Sequence, residues 1–419
     1  MPLRSTKSAI LAVTPTWLLS FYHLCLALLG ALLCGFPSRR LLVIGVTGTK
    51  GKSSTTEMLN AIFEEAGYET ALLNSIRIKI GHDSKANEMR MSMPGRFYIQ
   101  RFLSRALRRG CRVAILEMTS EGARFHRERG IVMDALVFTN LAPEHIESHG
   151  SFEAYENAKF LLGLQLARSS KRPRIIVANA DDAHAKRYLE LPVEKQLPYS
   201  LSSDSSHAAN ENGGHFKFDG VDIALHLPGD FSLQNALAAA SVAGALDIPT
   251  ATIKSALEKI TIIPGRAERI EAGQNFVVVV DYAHTPESLK ALYDAYASVR
   301  KICVMGATGG GRDKWKRPVM GKVAADNCDV VILTNEDPYD EDPRRIVEGL
   351  ASGMEKRPEI VMDRREAIAR GISLAKPGDA VLITGKGTDP NIAGPRGTKQ
   401  IWSDAKVARE EIERHLKQV

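Results

Sequence analysis

The sequence predicts an α/β protein in two units: a parallel sheet that carries a phosphate-binding loop, then a second, Rossmann-like α/β unit. Three observations carry this. From Leu41 onward short β-branched runs alternate with amphipathic stretches, the pattern of parallel strands joined by helices. A glycine-rich turn joins the first such strand to the first such helix. A second strand–helix series begins after Pro264-Gly265-Arg266. The length of 419 residues suits two to three domains, each large enough to bury its own core.

Taken in order, the first segment is apolar. Between Lys7 and Arg39 there is no Asp, Glu, Lys or Arg, and Trp17 to Phe36 has about the length of a bilayer span. A cleaved signal peptide is disfavoured, because no A-x-A-like site follows and a nucleotide motif begins within ten residues of Arg40. Three readings stay open: a membrane anchor with Arg39 and Arg40 on the cytoplasmic side, a helix lying at the interface, and an apolar hairpin packed on the body. Membrane association is thus a possibility for residues 9–36.

The body then reads as strand Leu41 to Val46, helix Lys52 to Ala66, strands Arg112 to Glu117 and Ala135 to Thr139, and helix Phe152 to Ala167. Leu201 to Gly214, rich in Ser, Asn and Gly, reads as a mobile surface loop. A helix around Asn235 to Leu246 closes the first unit. The second has strands at Phe276 to Val280, Ile302 to Met305, Val330 to Thr334 and Ala380 to Thr384, with no G-x-G-x-x-G after its first strand. The units are therefore an N-terminal segment 1–40, a central domain 41–265 and a C-terminal domain 266–419.

Composition narrows the function. Hydrophobic residues are 44% and charged residues 25%, the mix of a folded protein. The net charge of +6 is dispersed, so nucleic acid is not implied as a partner. Arg312, Lys314, Lys316 and Arg317 can focus positive potential on an anionic small substrate, or form a solvated turn. Cys25, Cys34, Cys111, Cys303 and Cys328 have no C-x-x-C spacing, so zinc and disulfides are both disfavoured and a reducing, cytoplasmic setting is expected.

The sharpest chemical signal is Gly45-Val46-Thr47-Gly48-Thr49-Lys50-Gly51-Lys52-Ser53-Ser54 between a strand and a helix. Gly48 to Gly51 let backbone N–H groups turn toward phosphate, Lys52 reaches the β and γ phosphates, and the Ser53 hydroxyl can ligate Mg²⁺. Val46 stands where the general G-x-x-x-x-G-K-[ST] spacing has glycine. The variant T-G-T-x-G-K-[ST]-[ST] resembles that of the Mur ligases and their relatives, the folylpolyglutamate and cyanophycin synthetases. Further motifs follow in family order: Asn140-Leu141-Ala142-Pro143-Glu144-His145, Tyr155 to Lys159, Gly229 to Asn235, Pro264 to Glu268, Asp281-Tyr282-Ala283-His284-Thr285-Pro286 and Gly385-Lys386-Gly387. The resemblance covers 41–419 and is strongest to the MurE type, which extends a muramoyl peptide by one amino acid.

The resemblance implies a P-loop ATP-binding central domain, a C-terminal ligase domain, and formation of an acyl phosphate that an amino group then attacks. It implies ATP held by Gly48, Thr49, Lys50, Gly51, Lys52, Ser53, Ser54, Asn235, Arg266, Asp281 and His284. It implies two Mg²⁺ held by Ser53, Glu117, His145 and Lys159, the lysine carbamoylated by CO₂. Lys52, His145, Lys159 and Arg266 would be the catalytic groups, with Arg266 at the γ-phosphate. Read without the resemblance, Lys159 is an exposed helix lysine, His145 a satisfied core histidine, Arg266 a hinge-region surface arginine and Asp281 a helix N-cap.

Ser92, in Met91-Ser92-Met93-Pro94, lies where the family contacts the muramoyl moiety. For the amino acid, the resemblance implies Arg312, Asp337, Pro338, Tyr339, Gly385 and Asp389. Two family motifs are altered here, to Glu336-Asp337-Pro338-Tyr339 and Gly385-Lys386-Gly387-Thr388-Asp389. Tyr339 replaces the arginine that would pair the distal carboxylate of diaminopimelate. A cationic amino acid such as lysine is therefore expected, with Asp337, Glu336 or Asp389 near its amine and Arg312 on its α-carboxylate. Only 40 residues precede the P-loop body, where the family has a longer UDP-gripping domain. The partners expected are a muramoyl-peptide acceptor and a free amino acid, and the protein is expected to be a monomer. A lipid-linked acceptor, a folylpolyglutamate-type reaction and a nucleotide-binding scaffold are the alternatives; the four-cysteine ribbon of MurT-like proteins is missing.

Overall fold

The computed structural model describes residues 15–418. The first unit is an eight-stranded sheet in the order β4-β3-β2-β5-β1-β6-β7-β8. Its strands are β1 (Leu42–Thr47), β2 (Thr70–Leu73), β3 (Arg77–Ile80), β4 (Asp83–Ala86), β5 (Val113–Glu117), β6 (Ala135–Phe138), β7 (Ile175–Asn179) and β8 (Lys195–Tyr199). From β2 to β8 neighbouring strands are parallel, while β3 and β4 add an antiparallel edge.

Both faces of this sheet are covered, which is why its central strands read as unbroken apolar runs. Ile44 and Val46 pack into one core with α2 (Lys52–Glu65), and Val43 into the other. That second core is formed with α3 (Arg96–Arg108), the short α4 (Ser120–Arg124), α6 (Phe152–Ala167) and α7 (Ala185–Leu189). The single-turn α5 (Ile146–His149) precedes α6. Two further helices, α8 (Asp230–Ala245) and α9 (Thr250–Glu258), complete the first core together with a small sheet of β9 (Ala208–Asn210), β10 (Gly213–Phe218) and β11 (Val221–Leu225). The expected loop over Leu201 to Gly214 therefore contains a strand: β9 pairs antiparallel with β10 and buries its neighbour's Phe216 under α8.

The second unit has six strands in the order β12-β13-β17-β14-β15-β16, parallel except for β12. These are β12 (Glu268–Arg269), β13 (Val277–Asp281), β14 (Lys301–Met305), β15 (Val330–Leu333), β16 (Glu359–Ile360) and β17 (Ala380–Thr384). Helices α10 (Pro286–Ala295), α11 (Lys316–Asn327) and α12 (Pro343–Ala351) cover one face; α13 (Arg364–Ser373) and α14 (Asp404–Leu416) cover the other. A hairpin of β18 (Asn391–Ala393) and β19 (Lys399–Ile401) lies outside this sheet. Contrary to expectation, Cys303 of β14 and Cys328, next after α11, are joined as a disulfide; Cys25, Cys34 and Cys111 are free thiols. The two partners are 25 residues apart in sequence, and the parallel pairing of β14 with β15 brings them together.

The N-terminal helix α1 (Thr16–Leu33) lies on the body. Ser20, His23, Ala27, Gly30 and Ala31 share the packed face, with Gly30 against Phe97 of α3. The opposite face leaves Phe21, Leu28, Leu29, Leu32 and Leu33 exposed, Leu33 by 70%. Among the described residues this segment is one packed helix, and no helix there is long and apolar enough to cross a membrane. Residues 9–14 of the candidate membrane segment lie outside the described residues.

Candidate active site

In the central sheet β1 lies between β5 and β6, so its carboxyl end opens a crevice, and the phosphate loop sits there. Gly48 has φ +148°, and a Cβ would fall 1.9 Å from Thr139 Oγ1; at Gly51, φ +81°, it would meet Asn235 Oδ1 at 2.2 Å. Only glycine allows both approaches. Thr139 Oγ1 donates to the Lys50 carbonyl at 2.6 Å, and Lys50 N donates to Asn140 Oδ1 at 2.8 Å, fixing the loop on the end of β6. Thr49 Oγ1 is 2.9 Å from the Tyr155 hydroxyl, and Lys52 Nζ donates to the Thr49 carbonyl at 2.8 Å. Burial, opposed by Glu117 and Glu144, lowers the Lys52 pKa. Ser54 is buried in the first turn of α2.

Register pairs Val46 with Glu117, which brings that carboxylate beside the loop. Glu117 Oε2 accepts from Ser53 Oγ at 2.8 Å and from Ser75 N at 2.9 Å; Oε1 accepts from Ser92 Oγ at 2.6 Å. Arg266 reaches the same point from the interdomain turn, donating to Ser53 Oγ at 3.2 Å and Ser75 Oγ at 3.1 Å, with its guanidinium 4.7 Å from the Tyr282 ring centre. The bare expectation of a surface arginine is corrected, since Arg266 is drawn inward by these hydroxyls and the ring.

Lys159 is likewise not an exposed helix lysine. It is 2% exposed, because α6 packs under the loop, and its Nζ donates to the Gly48 carbonyl at 2.8 Å. Burial first, then the charge of Lys52, holds its amine well below the usual lysine range. His145 is no satisfied core histidine: its side chain is half exposed, 4.0 Å from Glu144, while its backbone N donates to Asp313 Oδ2. Burial, and after it the charges of Lys159, Lys52 and Lys50 against Glu144, lowers its pKa.

Glu144, which was not among the expected site residues, organises the far wall. It pairs with Lys50 at 3.0 Å and with His284 Nε2 at 2.8 Å. Burial would raise its pKa, but Lys50 and His284 outweigh it and hold the carboxyl well below the usual range. Burial and Lys50 push His284 down to about 4. Asp281 is not a helix N-cap; Thr285 caps α10. Instead Asp281 accepts from Ala267 N and Ala283 N, each at 2.6 Å, and so holds the turns that carry Arg266 and His284. Together Thr49 to Ser54, Ser92, Glu117, His145, Asn235, Arg266, Asp281 and His284 line one cavity of about 510 Å³.

The expected amino-acid residues lie apart from that lining, and the carboxylates of Asp337 and Asp389 are already paired. Asp337 Oδ1 accepts from Lys386 Nζ at 2.8 Å and Ala393 N at 2.7 Å, and Oδ2 accepts from Arg90 at 2.6 Å. Asp389 also accepts from Arg90, and from Lys386 at 3.4 Å. Glu336 is buried beside Gly385, where a Cβ would strike it, and accepts from Thr308 at 2.7 Å. Arg90 and Lys386 thus hold two of the three acids expected near a substrate amine, Asp337 and Asp389, while Glu336 keeps one buried oxygen without a hydrogen-bond partner among the described residues. Arg312 stacks 5.0 Å from the Tyr339 ring centre, and Pro338 precedes Tyr339, whose N donates to the Ala393 carbonyl at 3.0 Å. Lys386 and Glu144 stood inside recognisable motifs; Arg90, a lone loop arginine, carried no signal.

Among the described residues no group of three or more His, Cys, Asp or Glu is arranged to hold a metal. Ser53 and Glu117 nevertheless converge as hard oxygen donors, a set that suits Mg²⁺, which takes few protein ligands and fills its shell with phosphate and water.

Residues 46–243 match the Mur ligase middle domain and 265–387 the Mur ligase, glutamate ligase domain. A UDP-N-acetylmuramyl-tripeptide synthetase from Roseiflexus sp. (strain RS-1) is 37% identical over 417 residues, 92% of this chain and 81% of that one. A solved UDP-N-acetylmuramoyl-L-alanyl-D-glutamate–2,6-diaminopimelate ligase superposes with a TM-score of 0.61 at 26% identity, covering 90% of this chain and 79% of that one. Mycobacterium tuberculosis folylpolyglutamate synthase, solved with ADP and AMPPCP, shares the fold, with a TM-score of 0.70 at 17% identity over 87% of this chain and 93% of that one. This chain belongs to the Mur ligase family, the ATP-dependent amide-bond ligases of peptidoglycan precursor synthesis.

Proposed function

We propose that the protein adds one amino acid to the carboxylate of a UDP-linked muramoyl dipeptide, as the names of its relatives describe for them. The observation that carries this reading is the meeting of Arg266 with the Ser53–Glu117 pair at the phosphate loop. ATP phosphorylates the acceptor carboxylate, the amine of the amino acid attacks the acyl carbon, and phosphate leaves. Lys52 and Arg266 oppose the charge that grows on the transferring phosphoryl group, and such charge stabilisation is the main source of rate enhancement in chemistry of this kind. His284 and Asn235 steady the nucleotide. We also read the working unit as a monomer.

Ser53 and Glu117 would hold one Mg²⁺, and His145 with Lys159 a second; bound there, Mg²⁺ neutralises phosphate oxygens. The depressed Lys159 amine is suited to attack CO₂, losing a proton to become an anionic carbamate. Supply of carbon-13 bicarbonate should give a carbamate NMR signal in the wild type that Lys159→Ala lacks. Because Arg90 and Lys386 occupy Asp337 and Asp389, the choice of amino acid rests on how those pairs rearrange around it and on Glu336.

Phosphate release from ATP with Mg²⁺, UDP-MurNAc-L-Ala-D-Glu and a panel including lysine and diaminopimelate tests the reading. Release that requires both acceptor and one amino acid is expected; release without an acceptor would sink it. A second reading, a lipid-linked acceptor met at the inner membrane face, is favoured by the exposed leucines of α1. Sedimentation with anionic vesicles separates the two.

A further inference from the structure

Beneath α1 lies a cluster of cation-forming side chains that, among the described residues, has no carboxylate in ion-pair contact with Arg96 or Arg127. Arg96, the first residue of α3, contacts His23 Nδ1 of α1. Arg127, just after α4, donates to the Met93 carbonyl. His126 Nε2 is 2.7 Å from Ser20 Oγ, and Phe125 sits between, its ring centre 5.3 Å from the His23 ring and 5.5 Å from the Arg127 guanidinium.

Among the described residues neither Arg96 nor Arg127 has a carboxylate within ion-pair distance, and 1–14 contain no Asp or Glu. Glu121 acts on Arg127 from a distance while contacting Ser148 and His149; Tyr22 and Arg129 are the other titratable groups facing the cluster. Arg96 Nε, Arg127 Nε and His126 Nδ1 are buried with no hydrogen-bond partner. Such donors, desolvated and unpaired, are costly unless an anion completes them. Burial depresses all four groups, and the charge of Arg127 or Arg96 adds to it at Arg96, His23 and His126.

The cluster adjoins the acceptor end of the cleft. Arg127 holds the carbonyl of Met93, and the preceding Ser92 contacts Glu117 at 2.6 Å. The step from cluster to Glu117 is therefore on the order of 10 Å, a length that a sugar bearing two amino acids spans. We propose that Arg96, Arg127, His23 and His126 form a binding site for the diphosphate of the muramoyl acceptor. This rests on the ligase reading above. Guanidinium forks suit paired phosphate oxygens, and α1 supplies one wall. The same diphosphate chemistry occurs in nucleotide-linked and in lipid-linked acceptors.

The test is calorimetric binding with a non-hydrolysable ATP analogue in the nucleotide site. The ligands are UDP-MurNAc-L-Ala-D-Glu, a polyprenyl-diphosphate-linked MurNAc-L-Ala-D-Glu in micelles, and MurNAc-L-Ala-D-Glu without phosphate. Wild type should bind at least one diphosphate ligand ten-fold or more tightly than the phosphate-free compound, and which one names the source. Arg96→Gln with Arg127→Gln should abolish that advantage, Arg96→Lys with Arg127→Lys should keep part of it, and retained affinity for the ATP analogue reports folding. If the glutamine variant does not fold, competition by inorganic pyrophosphate for the acceptor in wild type, weakened in the lysine variant, decides. No diphosphate advantage in wild type, or an advantage that survives the glutamine variant, overturns the site. Failure of the ligase reading is distinct: diphosphate binding would persist while amino-acid-dependent phosphate release is absent.

Discussion

Glu144 holds two groups from different halves of the chain, Lys50 in the phosphate loop and His284 after β13. Removing its charge leaves Lys50, a quarter exposed, without its carboxylate, a loss smaller than the about 3–5 kcal/mol of a fully buried pair. Glu144→Gln should therefore weaken ATP affinity by at least ten-fold, measured by calorimetry, with a Tm drop of several degrees. His284 adds a pH dependence. Its folded pKa of about 4 lies below its ordinary 6.5, so between those values the unfolded chain binds a proton that the folded chain refuses. Stability is lost as pH falls through that window and is present in full above about 6.5. Glu144 stays ionised there, so it does not mask the effect. His284→Asn, which cannot take the proton, should show a flatter fall in Tm from pH 7 to pH 4.5 than wild type; an equally steep fall would place the dependence elsewhere.

At the scale of elements, β1, α2, β5, β6 and α6 were legible because buried parallel strands leave β-branched runs and the phosphate loop fixes strand and helix on either side. The small sheet β9–β11 was not, since its strands are short, half polar and interrupted by Gly213 and Gly214. The Cys303–Cys328 bond was hidden for a different reason: no spacing rule links a strand to the end of the following helix, and only the sheet order brings them together. Arg90 was equally invisible, because its partners lie some 250–300 residues onward. Close helix packing is another feature that composition conceals. Gly321 of α11 faces α12 so tightly that a Cβ would lie 1.9 Å from the Leu350 carbonyl oxygen. Alanine normally favours a helix over glycine by about 1 kcal/mol, but overpacking against backbone costs about 1–3 kcal/mol. Gly321→Ala should therefore lower Tm, while ATP affinity, set by a cavity to which neither α11 nor α12 contributes a lining residue, stays within two-fold of wild type.

On the scale of the whole molecule, several contacts tie the central domain to the C-terminal one, among them Arg266 on Ser53, His284 on Glu144, the His145 backbone N on Asp313, and Arg90 on Asp337 and Asp389. The Arg90 contact reaches the amino-acid side of the cleft and touches no phosphate-loop residue. Arg90 also donates to Asn391 at 3.2 Å, so one guanidinium gathers residues from β15's end, the Gly385–Asp389 turn and β18. Burial would depress its pKa, yet Asp389 and Asp337 more than offset this and fix it as a cation. Lys386, fully buried, remains on Asp337 when Arg90 is removed, so the acids keep one counter-charge and the C-terminal domain should still fold. What is lost is the tie between domains, and with it the placing of the amino-acid side of the cleft over the acyl phosphate. Arg90→Ala should leave the Kd for ATP within about three-fold of wild type, lower kcat by ten- to a hundred-fold, and increase the radius of gyration of the ATP-bound protein in X-ray solution scattering. A variant with normal kcat and unchanged scattering would mean that the remaining contacts, Arg266 on Ser53, His284 on Glu144 and His145 on Asp313 among them, hold the domains together without it.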